Sequence, residues 1–136
     1  MIKVGLSGQD YVIGRTLDAF ASLHVARKLG PAIPIVEGLV LPDNAGKDKT
    51  ILTVLMLSHI SDADTEYVIK KCLSVVTRMQ GGSHAKVTAP DGSLMFDDMS
   101  MQDMLALTLA VIEDSLGDFF RTALAGLKTQ DAEPSL

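Results

Sequence analysis

The chain has 136 residues, of which 47% are apolar and 21% are charged, and this is the composition of one globular domain. Its formal net charge is −5, which argues against a role in binding DNA or RNA because that role needs a basic surface. Between Val87 and Phe120 there are seven acidic residues and no Lys or Arg. With no Trp and only 4% aromatic residues, the composition favours helices packed on helices over an aromatic-rich sandwich.

The sequence also argues against export and against a membrane span. Its one cysteine, Cys72, has no internal partner for a disulfide. The first residues lack the apolar core of a signal peptide. No stretch approaches the roughly 18 to 20 apolar residues of a membrane-spanning helix. We therefore expect a cytoplasmic protein.

The N-terminal half predicts a hairpin followed by a helix. Residues 2–6 and 11–13 have strand patterns, and turn residues separate them. The helix begins near Thr16 or Asp18 and ends at Gly30-Pro31, with basic residues in its last turn. Its expected apolar face consists of Leu17, Phe20, Ala21, His24 and Val25.

The middle of the chain is less regular. Residues 31–40 contain two prolines and permit only a short second helix from Pro34, and residues 41–47 predict a loop. Residues 50–60 fit both a strand and a helix, and a helix is preferred because Ser61 then begins the next element cleanly. Ser61 and Asp64 approximate a capping box. They predict a helix that runs to about Met79 and ends at the following glycines.

The C-terminal part predicts a second hairpin and the longest helix. Residues 84–88 and 94–96 flank a turn-rich segment. Ser100 and Asp103 form a capping-box pair that begins a helix running to about Leu127. The sequence thus predicts a mainly α (α+β) fold, a small helical domain over residues 1–128 with one or two short β-hairpins. Residues 129–136 are expected to be a disordered tail.

No residue pattern predicts catalysis or the binding of a cofactor, a metal or a small-molecule substrate. The histidines at 24, 59 and 84 are not spaced as metal ligands, and Cys72 lies in an apolar helical stripe. The acidic residues Asp91, Asp97 and Asp98 could gather around a cation, but the sequence lacks the spacing of a calcium loop. Asp91 lies in a predicted turn, and Asp97 and Asp98 precede a helix, where negative charge is favourable. These structural roles account for all three acidic residues. We expect no catalytic, cofactor or metal site.

The last helix carries the main functional signal. Its first half is apolar on nearly every side, and such a helix must be covered on every side. Either it is the central helix of the domain, or one of its faces binds a partner. The candidate partner-binding residues are Met101, Met104, Leu105, Phe119 and Phe120. Exposed apolar side chains here would favour homo-oligomers.

Three segments, residues 20–29, 64–73 and 104–120, resemble the tail assembly chaperones of long-tailed bacteriophages. The resemblance rests on His24-Val25-Ala26-Arg27-Lys28-Leu29, on Glu66-Tyr67-Val68-Ile69, and on Leu116-Gly117-Asp118-Phe119-Phe120. It extends from the first hairpin to about Leu127, whereas the proline-bearing residues 30–34 depart from the family pattern.

The resemblance implies a non-enzymatic protein that is absent from the mature virion. It would bind the long helical tape measure protein, keep it soluble and help to recruit tail tube protein. Two alternatives remain open. One is a small homo-oligomeric regulatory or scaffolding module that binds proteins, and the other is a small enzyme built from scattered residues such as Asp97, Asp98 and His84.

Overall fold

A computed structural model describes the backbone of residues 2–32 and 49–132, and the side chains of residues 2–32, 53–119 and 122. The expected helix from Pro34 and the expected loop at 41–47 lie outside the described residues. So do residues 133–136 of the expected tail.

The strands form a four-stranded antiparallel sheet in the order β1-β2-β3-β4. They are β1 (Ile2–Leu6), β2 (Gln9–Ile13), β3 (Val76–Gln80) and β4 (Ser83–Lys86). Each outer pair is a hairpin with a two-residue turn, Ser7-Gly8 in one and Gly81-Gly82 in the other. All four turn residues have positive φ, between 51° and 90°. This is the conformation that matches the twist of the flanking strands.

The described residues form four α-helices and one short 3₁₀ turn, Gly30–Ala32. The helices are α1 (Ala19–Leu29), α2 (Lys49–Leu57), α3 (Asp62–Leu73) and α4 (Met101–Ala132). The predicted caps are present. The Asp18 carboxylate accepts from the Ala21 N–H at 2.8 Å, and the Ser61 hydroxyl accepts from the Asp64 N–H at 3.1 Å. At the start of α4, the Ser100 hydroxyl accepts from the Asp103 N–H at 3.1 Å, and the Asp103 carboxylate accepts from the Ser100 N–H at 3.4 Å.

The mainly α prediction with one or two short hairpins is wrong, because the fold is mixed α+β and its hairpins join into one sheet. The helix expected to reach Met79 ends at Leu73, and β3 follows it. Val75, Val76 and Thr77 are β-branched and favour a strand. Pairing of Val76 with Ile13 and of residues 77–80 with 83–86 satisfies the backbone on both sides of β3.

The second hairpin is also placed differently from the prediction. Residues 83–86 pair with β3, and the expected partner segment at 94–96 contributes an isolated bridge between Thr88 and Leu94. The turn between those two residues is closed by the Ala89 N–H, which donates to the Ser93 carbonyl at 2.8 Å. The expected hairpin is therefore reduced to a tight loop that leads from the sheet to α4.

The middle of α4 lies at the centre of the domain. The buried residues from 105 to 112 point to all sides of the helix except one, where Ala106 and Ala110 are half-buried. They are Leu105, Leu107, Thr108, Leu109, Val111 and Ile112. Of the two explanations for the apolar helix, a central position holds for this stretch. The helix continues to Ala132, past the predicted end near Leu127. Among the described helices, none is long and apolar enough to cross a bilayer.

Candidate functional site

An apolar groove lies between α3, the 92–94 turn and the first turns of α4. Its volume is about 270 Å³. Apolar side chains and a polar rim line it: Ile69, Leu73, Leu94 and Met104, with Glu66, Lys70, Gly92 and Ser93. We call it the α3–α4 groove. Its composition is that of a site for apolar side chains bordered by charge.

The 92–94 turn is rigidly built, and this fixes Leu94 on the groove wall. The Asp91 carboxylate accepts from the Ser93 N–H at 2.9 Å and from the Ser93 hydroxyl at 2.7 Å. These hydrogen bonds hold the pKa of Asp91 below its usual value. Gly92 has a φ of +88°, and a Cβ built on it would lie 2.6 Å from Cδ of Lys70. The Lys70 stem therefore lies directly over Gly92.

A second cleft adjoins the groove on the other side of Lys70. Its volume is about 300 Å³, and its lining includes Tyr67, Lys71 and Thr88. Two ammonium groups lie near the Tyr67 ring: Nζ of Lys28 is 4.8 Å and Nζ of Lys71 is 5.8 Å from its centroid. Lys28 also forms an ion pair with Asp64 at 2.9 Å. The rim of the groove towards this cleft is of mixed charge, since Lys70 lies 3.6 Å from the Glu66 carboxylate and Asp91 lines the cleft.

An ion pair anchors the loop that leads into α4. Arg78 of β3 is 5% exposed and binds both carboxylate oxygens of Asp98, at 2.7 and 2.9 Å. Its guanidinium lies 4.4 Å from the centroid of the Phe96 ring. The hydrogen bonds from Arg78 hold the pKa of Asp98 below its usual value. At the helix itself, the Ser7 hydroxyl donates to Asp103 at 2.9 Å. Both contacts fix the start of α4, and hence Met104, against the sheet.

The structure separates the five candidate partner-binding residues. Met104 lines the groove, and Met101, one turn earlier, is 63% exposed. Leu105 is 3% exposed and belongs to the core. Phe119 is 58% exposed, and 18 residues of helix place it about 27 Å along α4 from Met101. The backbone of Phe120 is helical, but its side chain lies outside the described part.

Sequence reasoning missed several exposed apolar side chains. Leu94 and Met95, beside the groove, are 38% and 58% exposed. Phe20, which was expected on the buried face of the first helix, is 78% exposed, and Leu23 is 52% exposed. The buried face of α1 consists instead of Ala21, Val25 and Leu29. The i, i+3 spacing of Phe20 and Leu23 was visible in the sequence, but it fits either face of a helix.

Several residues considered for chemistry have structural contacts or are buried. Asp98 pairs with Arg78, and Nδ1 of His84 lies 3.2 Å from the Thr77 hydroxyl. Cys72 is buried, and burial raises the pKa of its thiol to about 12. Among the side chains that the structure describes, those of residues 2–32, 53–119 and 122, no group of three or more His, Cys, Asp or Glu residues is placed to hold a metal ion.

Comparison with known proteins gives one match. A family model described as phage tail assembly chaperone protein matches residues 7–128. That match covers most of the chain, including β2, β3, β4, α3 and the groove. No curated protein and no solved structure matches the chain.

Proposed function

The chain belongs to the phage tail assembly chaperone family, and on that premise we propose that it binds the tape measure protein and promotes assembly of the tail tube around it. It acts by binding, without catalysis, in the host cytoplasm. It does not remain in the mature virion. The tail tube protein is its second partner, and the chaperone itself is a homo-oligomer.

The α3–α4 groove is the observation that carries this proposal. An amphipathic helix that lies in such a groove presents apolar side chains at i, i+3, i+4 and i+7. Ile69, Leu73, Leu94 and Met104 offer an apolar floor for such anchors. Two further methionines close in sequence to Leu94 and Met104, Met95 and Met101, are exposed. Methionine side chains are flexible and polarisable, so this surface suits a long client whose successive helical segments differ in shape.

The competing function is a small homo-oligomeric regulatory or scaffolding module. It predicts self-association without a long helical client. The chaperone is favoured because the hydrogen bonds from Ser93 to Asp91 order the 92–94 turn of the groove wall within the single chain. A preformed groove reduces the ordering cost of binding.

Co-expression with the tape measure protein of the same phage tests the proposal. We expect the wild-type chain to keep that protein in the soluble fraction and to co-purify with it. Met101→Asp should reduce co-purification because it places a carboxylate on the apolar surface. Gln102→Asp is the matched control, since Gln102 is the next residue, is also exposed and also lies in the first turn of α4.

Both substitutions put negative charge at a helix N-terminus, where it is favourable, so neither should unfold the chain. If the tape measure protein stays insoluble with the wild-type chain, the proposed function is wrong. If Met101→Asp and Gln102→Asp bind it equally well, the assignment of the surface around Met101 is wrong.

A further inference from the structure

Cationic side chains collect on one side of α3, although the net charge of the chain is −5. Lys70 and Lys71, in the last turn of α3, line the cleft beside the groove. A second hollow of about 290 Å³ is lined by side chains of α1 and the beginning of α3, which are His24, Arg27, Lys28 and Asp64. Tyr67 lies near both hollows, since its ring is close to the ammonium groups of Lys28 and Lys71. We call the surface that carries Arg27, Lys28, Lys70 and Lys71 the basic face.

Part of the positive charge on the basic face is unpaired. Lys28 forms an ion pair with Asp64 at 2.9 Å, and Lys70 lies 3.6 Å from Glu66. Asp91 lines the cleft as well, but its carboxylate already accepts two hydrogen bonds within its own turn. The cations that have no carboxylate within ion-pair distance among the described residues are Arg27 and Lys71. An acidic group of another protein can therefore bind at this face without breaking an existing ion pair.

The basic face borders the α3–α4 groove along α3. The residues of this helix that line the groove are Glu66, Ile69, Lys70 and Leu73. Those that line the cleft are Tyr67, Lys70, Lys71 and Ser74. The second set is the first set moved by one residue, which is a rotation of about 100° around the helix. The two hollows therefore run side by side and share Lys70 and Gly92. A helix that lies in the groove has one of its flanks over the cleft.

We propose that the basic face selects client helices in which acidic residues border the apolar stripe, and that Lys71 binds their carboxylates. This inference rests on the client binding of the proposed function. The apolar stripe of such a helix fills the groove between Ile69 and Met104, while its acidic flank lies against Lys71. Charged residues beside an apolar seam set partner choice and orientation in coiled coils in the same way. The direction of the client is fixed as well, because turning the helix end for end would move its acidic flank away from the basic face.

Two synthetic amphipathic helical peptides test this selection. Both carry the same leucine stripe, and the positions along one flank are glutamate in the first peptide and lysine in the second. We expect the full wild-type chain to bind the glutamate peptide at least about tenfold more tightly than the lysine peptide, because the lysine flank meets like charge. Lys71→Gln should remove most of this preference. Lys71→Glu should reverse it, a result that loss of folding cannot produce. Fluorescence anisotropy gives the dissociation constants.

Lys3→Glu is the matched control, because it makes the same charge change at an exposed position on β1, the edge strand farthest from β4. It should keep the wild-type preference. If the wild-type chain binds both peptides equally or binds neither, the selection of acidic flanks is wrong. If Lys71→Gln and Lys71→Glu both keep the wild-type preference, Lys71 is not the binding residue and the proposal fails. None of these results bears on the proposed function, which fails instead if the tape measure protein stays insoluble with the wild-type chain.

Discussion

The substitution Leu107→Ala tests whether the middle of α4 is buried in the core or forms a surface that binds a partner. Leu107 is 0% exposed and lies at the centre of the apolar helix. Truncation removes its buried methyl groups and leaves a cavity, and in fully buried positions this costs about 3–5 kcal/mol. A domain of this size is stabilised by about 5–15 kcal/mol in total. At about 3–5 °C per kcal/mol, the melting temperature should fall by roughly 10–25 °C.

The control is Met101→Ala on the same helix. Met101 is 63% exposed, so its truncation should change the free energy of unfolding by no more than about 0.5 kcal/mol. Urea denaturation followed by far-ultraviolet circular dichroism gives both values. All chains are measured at equal concentrations, because oligomers make apparent stability depend on concentration. If Leu107→Ala cost less than about 1 kcal/mol while weakening oligomers or client binding, the central position of α4 would be refuted.

Three further predictions follow from the loop and the core. Asp98→Asn should lower the melting temperature at neutral pH because it removes the carboxylate that pairs with buried Arg78. The pKa of Asp98 is lowered in the folded chain, so its contribution is fully present above the ordinary pKa of Asp and is lost as pH falls through the lowered value. Melting curves across that range should therefore converge with those of the wild-type chain in acid. Gly92→Ala should destabilise the chain by about 1–2 kcal/mol, since φ is +88° and the new Cβ meets the Lys70 stem. Urea titration measures this change, and an unchanged midpoint of unfolding would contradict it. The Cys72 thiol, with its pKa raised to about 12 by burial, should react with a thiol reagent only at the rate of unfolding, and rapid labelling of the folded chain would contradict its burial.

Elements with local signals could be predicted from the sequence. The Ser100 and Asp103 pair marked the start of α4 because a capping box involves only neighbouring residues. The first hairpin was predicted because two strand patterns flank turn residues. β3 could not be predicted in the same way. Its apolar residues also fit the end of a helix, and what decides between the two is pairing with β2, more than 60 residues earlier in the chain.

Only part of the candidate site could be predicted from the sequence, because the rest depends on contacts between distant segments. Met101 and Leu105 are four residues apart on one face of α4. Both are apolar, so the sequence does not indicate which of them is buried. The structure exposes Met101 and buries Leu105, because what covers each side chain is set by the neighbouring helices α2 and α3, which pack along α4. The groove forms where Leu94 and Ile69 lie beside Met104. These residues come from three separate segments, so no periodic pattern in the sequence predicts that they line one groove.

Site-specific photocrosslinking tests whether the tape measure protein binds in the α3–α4 groove. A photoreactive phenylalanine analogue replaces Leu94 on the groove wall, or Lys86 on β4 as the control, in cells that also express the tape measure protein. We expect a crosslink to the tape measure protein from position 94 and none from position 86. Crosslinking from position 86 alone, or from neither position while the two proteins still co-purify, would contradict the groove as the client-binding site.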